Sequence, residues 1–239
     1  GAQRALAADP ADEGPVMLAL ELMDPRLPQA EALVHRYLAS PQARPETRLS
    51  YARLLLEAQR SGEARQQLQM LTRQKPEFAD AWLVLGVLQA QENQFEPAET
   101  ALKKYLALVQ ADGRNTSDDS ARGLTQAYLA LAQITEKRGD LAGALRWLDR
   151  ITAAPDLLAI QARRASVLAR QGRMDDARTL LRSVPERDTA AGRAKVLAEV
   201  HLLRENRQVP AAYELLADAV KRSPRDTELL YEQAMNAEK

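Results

Sequence analysis

The chain is expected to be all-α, a solenoid of tandem helix–turn–helix units, and three observations predict it. Six alanines recur in phase, Ala30, Ala64, Ala98, Ala144, Ala177 and Ala212, at spacings of 34, 34, 46, 33 and 35 residues. Four residues after each comes an aliphatic: Val34, Leu68, Leu102, Leu148, Leu181 and Leu216. Residues four apart share one face of a helix, so each pair marks a helix with a narrow apolar stripe. Composition agrees. Aromatics make up 4% of the 239 residues and alanine alone supplies 43 of them, which suits closely packed helices better than a β-sandwich.

The elements follow in order. Residues 1–10 read as the last turns of a second helix, with Pro10 at the phase of Pro76 and Pro224. Six repeats are then expected at 11–44, 45–78, 79–112, 125–157, 158–192 and 193–226, and a terminal first helix at 227–239. Small residues at Ala52, Gly86, Ala132 and Ala165 on first helices are expected to face the repeated alanines, letting the axes approach. The turns inside the repeats are placed at Ser61–Gly62, Asn93–Gln94, Arg138–Gly139–Asp140 and Gln171–Gly172–Arg173, where glycine or asparagine supplies the left-handed conformation that stops a helix. Arg164 and Glu199 stand where leucine is expected. The 46-residue spacing is one repeat plus twelve, and the surplus is a polar insertion at about 112–122. Within it Thr116-x-x-Asp119 fits a capping box, so the following helix should start near Ser117. A solvated loop with an extended helix is the first expectation there, a protruding recognition loop the second.

The best repeat begins at Asp80. Trp82, Leu85 and Gly86 form W-x-x-L-G, and Ala98 and Leu102 form A-x-x-x-L. This resembles the tetratricopeptide repeat, with Gln89 in place of the usual tyrosine, Leu102 in place of phenylalanine and Gln110 at the proline phase. Tyr51, Ala52, Ala64, Leu68 and Pro76 match in the preceding repeat, and Tyr128, Leu131, Ala132, Gly139, Ala144 and Leu148 in a later one. The resemblance implies a right-handed α-solenoid and a noncatalytic adaptor or scaffold.

It also implies where a partner would lie, since first helices line a concave groove in such arrays. The matching positions are Leu49, Arg53, Leu56, Leu83, Val84 and Val87, then Leu129, Gln133 and Lys137. Toward the C-terminus they are Arg163, Ser166, Arg170, His201 and Arg204. The expected ligand is an extended peptide or helix with an apolar run beside an acidic segment or a free carboxylate, because residues 158–208 hold eleven Lys and Arg against six acids. The sites that match the carboxylate clamp of chaperone-tail binders read Leu49, Arg53, Val84, Gln126 and Ala130, or one repeat on Leu83, Val87, Ala130, Ala159 and Arg163, so that clamp is absent.

Other classes find little support. The 33 basic and 33 acidic residues balance, giving no general attraction to nucleic acid. No cysteine is present, and His35 and His201 lie about five repeats apart, so neither thiol chemistry nor a zinc cluster is expected. No phosphate-binding glycine motif occurs. No enzyme, cofactor or membrane insertion is therefore expected. A second expectation is self-assembly, as a homodimer through apolar Leu229, Leu230, Tyr231 and Met235 of the terminal helix. The segments from Leu49 and from Glu228 also resemble the large tetratricopeptide lipoproteins of Gram-negative bacteria. That resemblance implies an internal fragment of an outer-membrane-tethered, periplasmic parent acting as an adaptor for processing proteases. The alternative compartment is the cytoplasm.

Overall fold

A computed structural model describes residues 14–21, 28–112, 118–151 and 156–237. The described residues are helices and short connections, with no strand. In order the helices are α1 (Gly14–Glu21), α2 (Pro28–Leu38), α3 (Pro45–Glu57), α4 (Ser61–Gln74), α5 (Ala79–Gln91), α6 (Phe95–Asp112) and α7 (Asp118–Lys137). There follow α8 (Leu141–Leu148), α9 (Leu157–Arg170), α10 (Met174–Arg182), α11 (Thr189–Glu205), α12 (Val209–Arg222) and α13 (Thr227–Ala237). Successive helices pair as hairpins, α3 with α4, α5 with α6, α9 with α10 and α11 with α12. The fold is a helical-repeat solenoid. Residues 1–13 and residues 113–117 of the insertion, with the Thr116 cap, lie outside the described residues.

The turns inside the repeats are alike in atomic detail. Gln59, Asn93, Gly139, Gly172 and Arg207 have φ of 61°, 59°, 84°, 79° and 59°. Each sits five residues before a repeated alanine. At every one the following N–H reaches back five residues, as Arg60 N to Leu55 O at 2.8 Å and Asp140 N to Thr135 O at 3.0 Å. The left-handed residue's own N–H bonds three residues back, as Gly172 N to Ala169 O at 2.9 Å. This is the Schellman arrangement, which satisfies carbonyls that a helix end would otherwise leave unpaired. The next helix starts at once, and the alanine N–H closes its first bond, as Ala98 N to Gln94 O at 3.0 Å.

The first turn differs from expectation. It lies at 58–60, and Ser61 and Gly62 already belong to α4. Gly62 has open space around it and no positive φ; the left-handed residue is Gln59. Hydrogen bonding there outweighs the side chain's preference.

Two compact bodies divide the chain, 1–123 and 124–239. In the N-terminal body one continuous core runs from Val16 through Val34, Tyr37, Tyr51, Ala52, Leu55, Ala64 and Leu68 to Leu88. Arg48, 6% exposed, donates to Gln67 Oε1 at 2.7 Å and to Leu38 O at 2.6 Å, capping the last turn of α2. Gly86 lies hard against Leu102: a Cβ there would stand 2.7 Å from Leu102 Cγ and 3.1 Å from its backbone nitrogen. The glycine makes room for the aliphatic of the pair, and Ala98 is fully buried.

The C-terminal body holds three cores in series. Ala132, Ala144, Leu148, Ile160 and Val167 join α7, α8 and α9. Ala165, Ala177, Leu181 and Leu202 join α9, α10 and α11. Leu203, Ala212, Leu216 and Leu229 join α11, α12 and α13. Every repeat alanine from Ala64 on is 0–1% exposed.

The leucine-to-glutamate departure is resolved here. Glu199, 4% exposed on α11, accepts from Arg178 Nε at 2.7 Å and from Arg182 at 2.6 and 3.0 Å, both on α10. Burial pushes its carboxyl up, but the bonds from Arg182 and Arg178 outweigh burial and leave it below its usual 4.5. Arg164 turns to Asp149 and Gln161.

Candidate protein-binding surface

The residues of interest are the parts of the first helices α3, α5, α7, α9 and α11 that the cores leave uncovered. Burial sorts the expected positions. In the N-terminal body Leu49 and Leu83 are 4% and 7% exposed, so both serve mainly as packing. Leu56 and Val84 are half-buried against the core, and Val87 is half-buried on the same helix as Val84. Arg53 is exposed. The surface of α3 and α5 is thus aliphatic with a charged edge.

The C-terminal body has a different character. Leu129 packs against the core of α7 to α9, while Gln133 and Lys137 are exposed. Arg163 and Arg170 of α9 both point at Glu136 of α7: Arg163 Nη2 donates to Oε2 at 2.6 Å, and Arg170 Nη1 bonds Oε1. Ser166, half-buried, lies between the two arginines on the helix face. On α11, His201 stands exposed beside Glu205 at 3.1 Å, and Arg204 approaches Glu232 of α13 at 3.6 Å. The cationic surplus read from composition is therefore largely matched locally. Acids on neighbouring first helices take up Arg163, Arg170 and Arg204. Spacing on single helices could not show this, because the partners lie 27, 34 and 28 residues away.

One cluster outside the expected set belongs to the N-terminal body. Tyr51 Oη donates to Glu31 Oε1 at 2.7 Å and lies 3.1 Å from His35 Nε2. Arg60 bridges Glu31 at 2.8 Å and Glu63 at 2.6 Å. The Arg60 hydrogen bond holds Glu31 below the usual carboxylate range, and burial, helped by Glu31, pushes the Tyr51 phenol up. His35 of α2 is half-exposed and edge-on to Tyr51 with ring centroids 5.5 Å apart. Every group has a partner, so the cluster ties α2, α3 and α4 together.

Among the described residues no group of His, Cys, Asp and Glu could hold a metal ion. No helix among them is long and apolar enough to cross a membrane.

Comparison with known proteins places these helices in a wider set. Residues 49–113 match the family model described as a tetratricopeptide repeat. The TPR repeat-containing protein PA4667 of Pseudomonas aeruginosa is 30% identical over 113 residues. That match takes in 47% of this chain and only 19% of the relative. A crystal structure of a tetratricopeptide repeat protein from Parabacteroides merdae superposes with a TM-score of 0.57 at 17% identity, covering 100% of this chain and 90% of that one. The protein YrrB, described as a TPR protein with an unusual peptide-binding site, superposes with a TM-score of 0.52 at 14% identity over 98% of both chains.

Proposed function

Because this chain is a tetratricopeptide-repeat protein, we propose that it is a noncatalytic scaffold that holds an extended or helical protein segment on its first-helix faces. One observation carries the reading. From α4 on the second helices bury their repeat alanine and aliphatic completely, while α3 and α5 keep Leu56, Val84 and Val87 half-uncovered next to exposed Arg53. An apolar strip with a polar edge is the surface an amphipathic segment fits. The peptide-binding site named for YrrB supports the same use of the fold.

The test is affinity capture from an extract of the source organism, comparing the chain with an Arg53→Glu, Val87→Asp variant. Retention of a defined protein by the parent chain and its loss from the folded variant is the expected result. Equal capture by both sinks the assignment of this surface.

The reading extends to a bacterial envelope adaptor whose parent is tethered at the outer membrane and works with processing proteases, with the cytoplasm as the alternative compartment. The Pseudomonas aeruginosa relative supports a bacterial setting. Fractionation of source cells decides the compartment, and recovery in the cytosol overturns the envelope reading.

A second reading is self-assembly through α13. Leu229 is 3% exposed and turned into the core, but Leu230, Tyr231 and Met235 are 40%, 63% and 44% exposed. Large apolar side chains left in water favour association. Light scattering across a concentration series checks it: a constant monomer mass removes the reading.

A further inference from the structure

We propose that Arg163 and Arg170 form a carboxylate-binding subsite that Glu136 occupies in the absence of a partner. The proposal rests on the first-helix reading above and assigns the chemistry of one contact within it.

The geometry is specific. Arg163 and Arg170 are seven residues apart, so they sit two turns apart on one face of α9, about 10 Å along the axis. Glu136 reaches between them from α7 and gives one oxygen to each guanidinium. It is the arrangement in which two arginines hold one carboxylate, with an internal side chain in the ligand's place. Glu136 is 13% exposed, whereas Arg163 and Arg170 are 43% and 45% exposed. The acid lies beneath, and the cations face solvent. Each guanidinium has five N–H donors and gives Glu136 one in the bonds described, so donors remain free on both.

The site holds more cationic groups than carboxylates. Two guanidiniums share the single carboxylate of Glu136, and exposed Lys137 follows Glu136 in the chain. The C-terminal ends of α7 and α9 set a partial negative charge against an incoming anion, roughly half a unit each, so recruitment rests on the remaining guanidinium donors, which face solvent. Ser166, half-buried between the arginines, offers a hydroxyl at the same place. Exchange of the internal carboxylate for an external one leaves both arginines paired and frees Glu136 to water. The contact therefore confers selectivity at little cost, and the rest of the bound segment supplies affinity. The ligand group is a carboxylate, from an Asp or Glu side chain or from a chain terminus.

The experiment uses the full chain and fluorescein-labelled peptides of about twelve residues, built from leucine, alanine and serine. One carries two aspartates near its C-terminus, the second has asparagines there, and each is made with a free and an amidated end. Fluorescence anisotropy is expected to show the aspartate peptide binding roughly fivefold tighter than its asparagine counterpart. A preference that survives amidation assigns a side chain, and one lost on amidation assigns the terminus; both support the site. Glu136→Gln should tighten the carboxylate peptide by roughly threefold and leave the amide form unchanged. Arg163→Gln with Arg170→Gln should erase the difference between peptides. Lys137→Gln, which breaks none of the described ion pairs, should weaken the carboxylate peptide by about twofold, keeping the test open if the Glu136 variant loses its fold. Equal binding of all peptides, or an unchanged or weaker carboxylate peptide with folded Glu136→Gln, overturns the subsite alone. Failure of every peptide to bind overturns the subsite and the peptide-binding reading of this body together.

Discussion

At Gln59 and Arg207 the backbone holds φ near +60° with an ordinary side chain, where Gly139 and Gly172 do the same at no steric cost. The left-handed region costs a residue with a Cβ about 1 kcal/mol. Gly139→Ala and Gly172→Ala should each lower stability by about 1 kcal/mol, and Arg207→Gly should raise it by up to about 0.5 kcal/mol after the entropy of the unfolded glycine is subtracted. Urea midpoints measure all three, and a destabilised Arg207→Gly contradicts the strain assignment. Sequence reading found Asn93, Gly139 and Gly172 because those residue types advertise the conformation. It missed Gln59 and Arg207 because there the conformation is imposed by the two backbone hydrogen bonds, which carry no side-chain signature.

Glu199 is the other informative residue. Its carboxyl lies below its usual 4.5, so the folded state binds its proton less readily than the unfolded state. The stability it contributes is present above pH 4.5 and is lost as pH falls through the lower folded value. Glu199→Gln should cost about 1–2 kcal/mol at pH 7 and flatten the stability profile in that acidic window. Urea unfolding of both chains at neutral and acidic pH checks it, and parallel profiles reject the role. The sequence marked Glu199 as out of place but could not supply its partners, since Arg178 and Arg182 sit in the preceding repeat.

At the scale of elements, hairpins close on small-residue contacts whose exact mates only packing reveals. Gly86 was legible as a site of close approach; that it meets Leu102 was not, because a repeat pattern gives phase and not rotation. Gly86→Ala should destabilise the α5–α6 hairpin by about 1–3 kcal/mol. Combination with Leu102→Val should cost less than the sum of the two single changes, as a double-mutant cycle would record. Additive costs would show that the two side chains do not share the space.

For the whole molecule, stability is assembled from short-range joints. The three cores of the C-terminal body each link adjoining helices, and no single centre draws in distant segments. Gly86→Ala should therefore speed hydrogen exchange in α5 and α6 while α11 and α12 keep their protection. Equal loss in both places would mean a more cooperative molecule than its contacts describe. The architecture was readable from the alanine phase, which follows from helix geometry. The pairing of Arg163, Arg170 and Arg204 with acids was not, because it depends on contacts between helices that no single helical pattern contains.

The left-handed corners also divide the chain into two kinds of joint. In the five hairpins from α3 to α12 the connection is three residues, at 58–60, 92–94, 138–140, 171–173 and 206–208, because the Schellman bonds and the alanine's first helical bond fix its length. Between repeats the connection ranges from four residues at 75–78 to eight at 149–156. A ruler is thus built into each hairpin and slack into the seams. Evolution can lengthen this chain at the seams, and the polar insertion stands at one of them, running from the end of α6 into the first turns of α7.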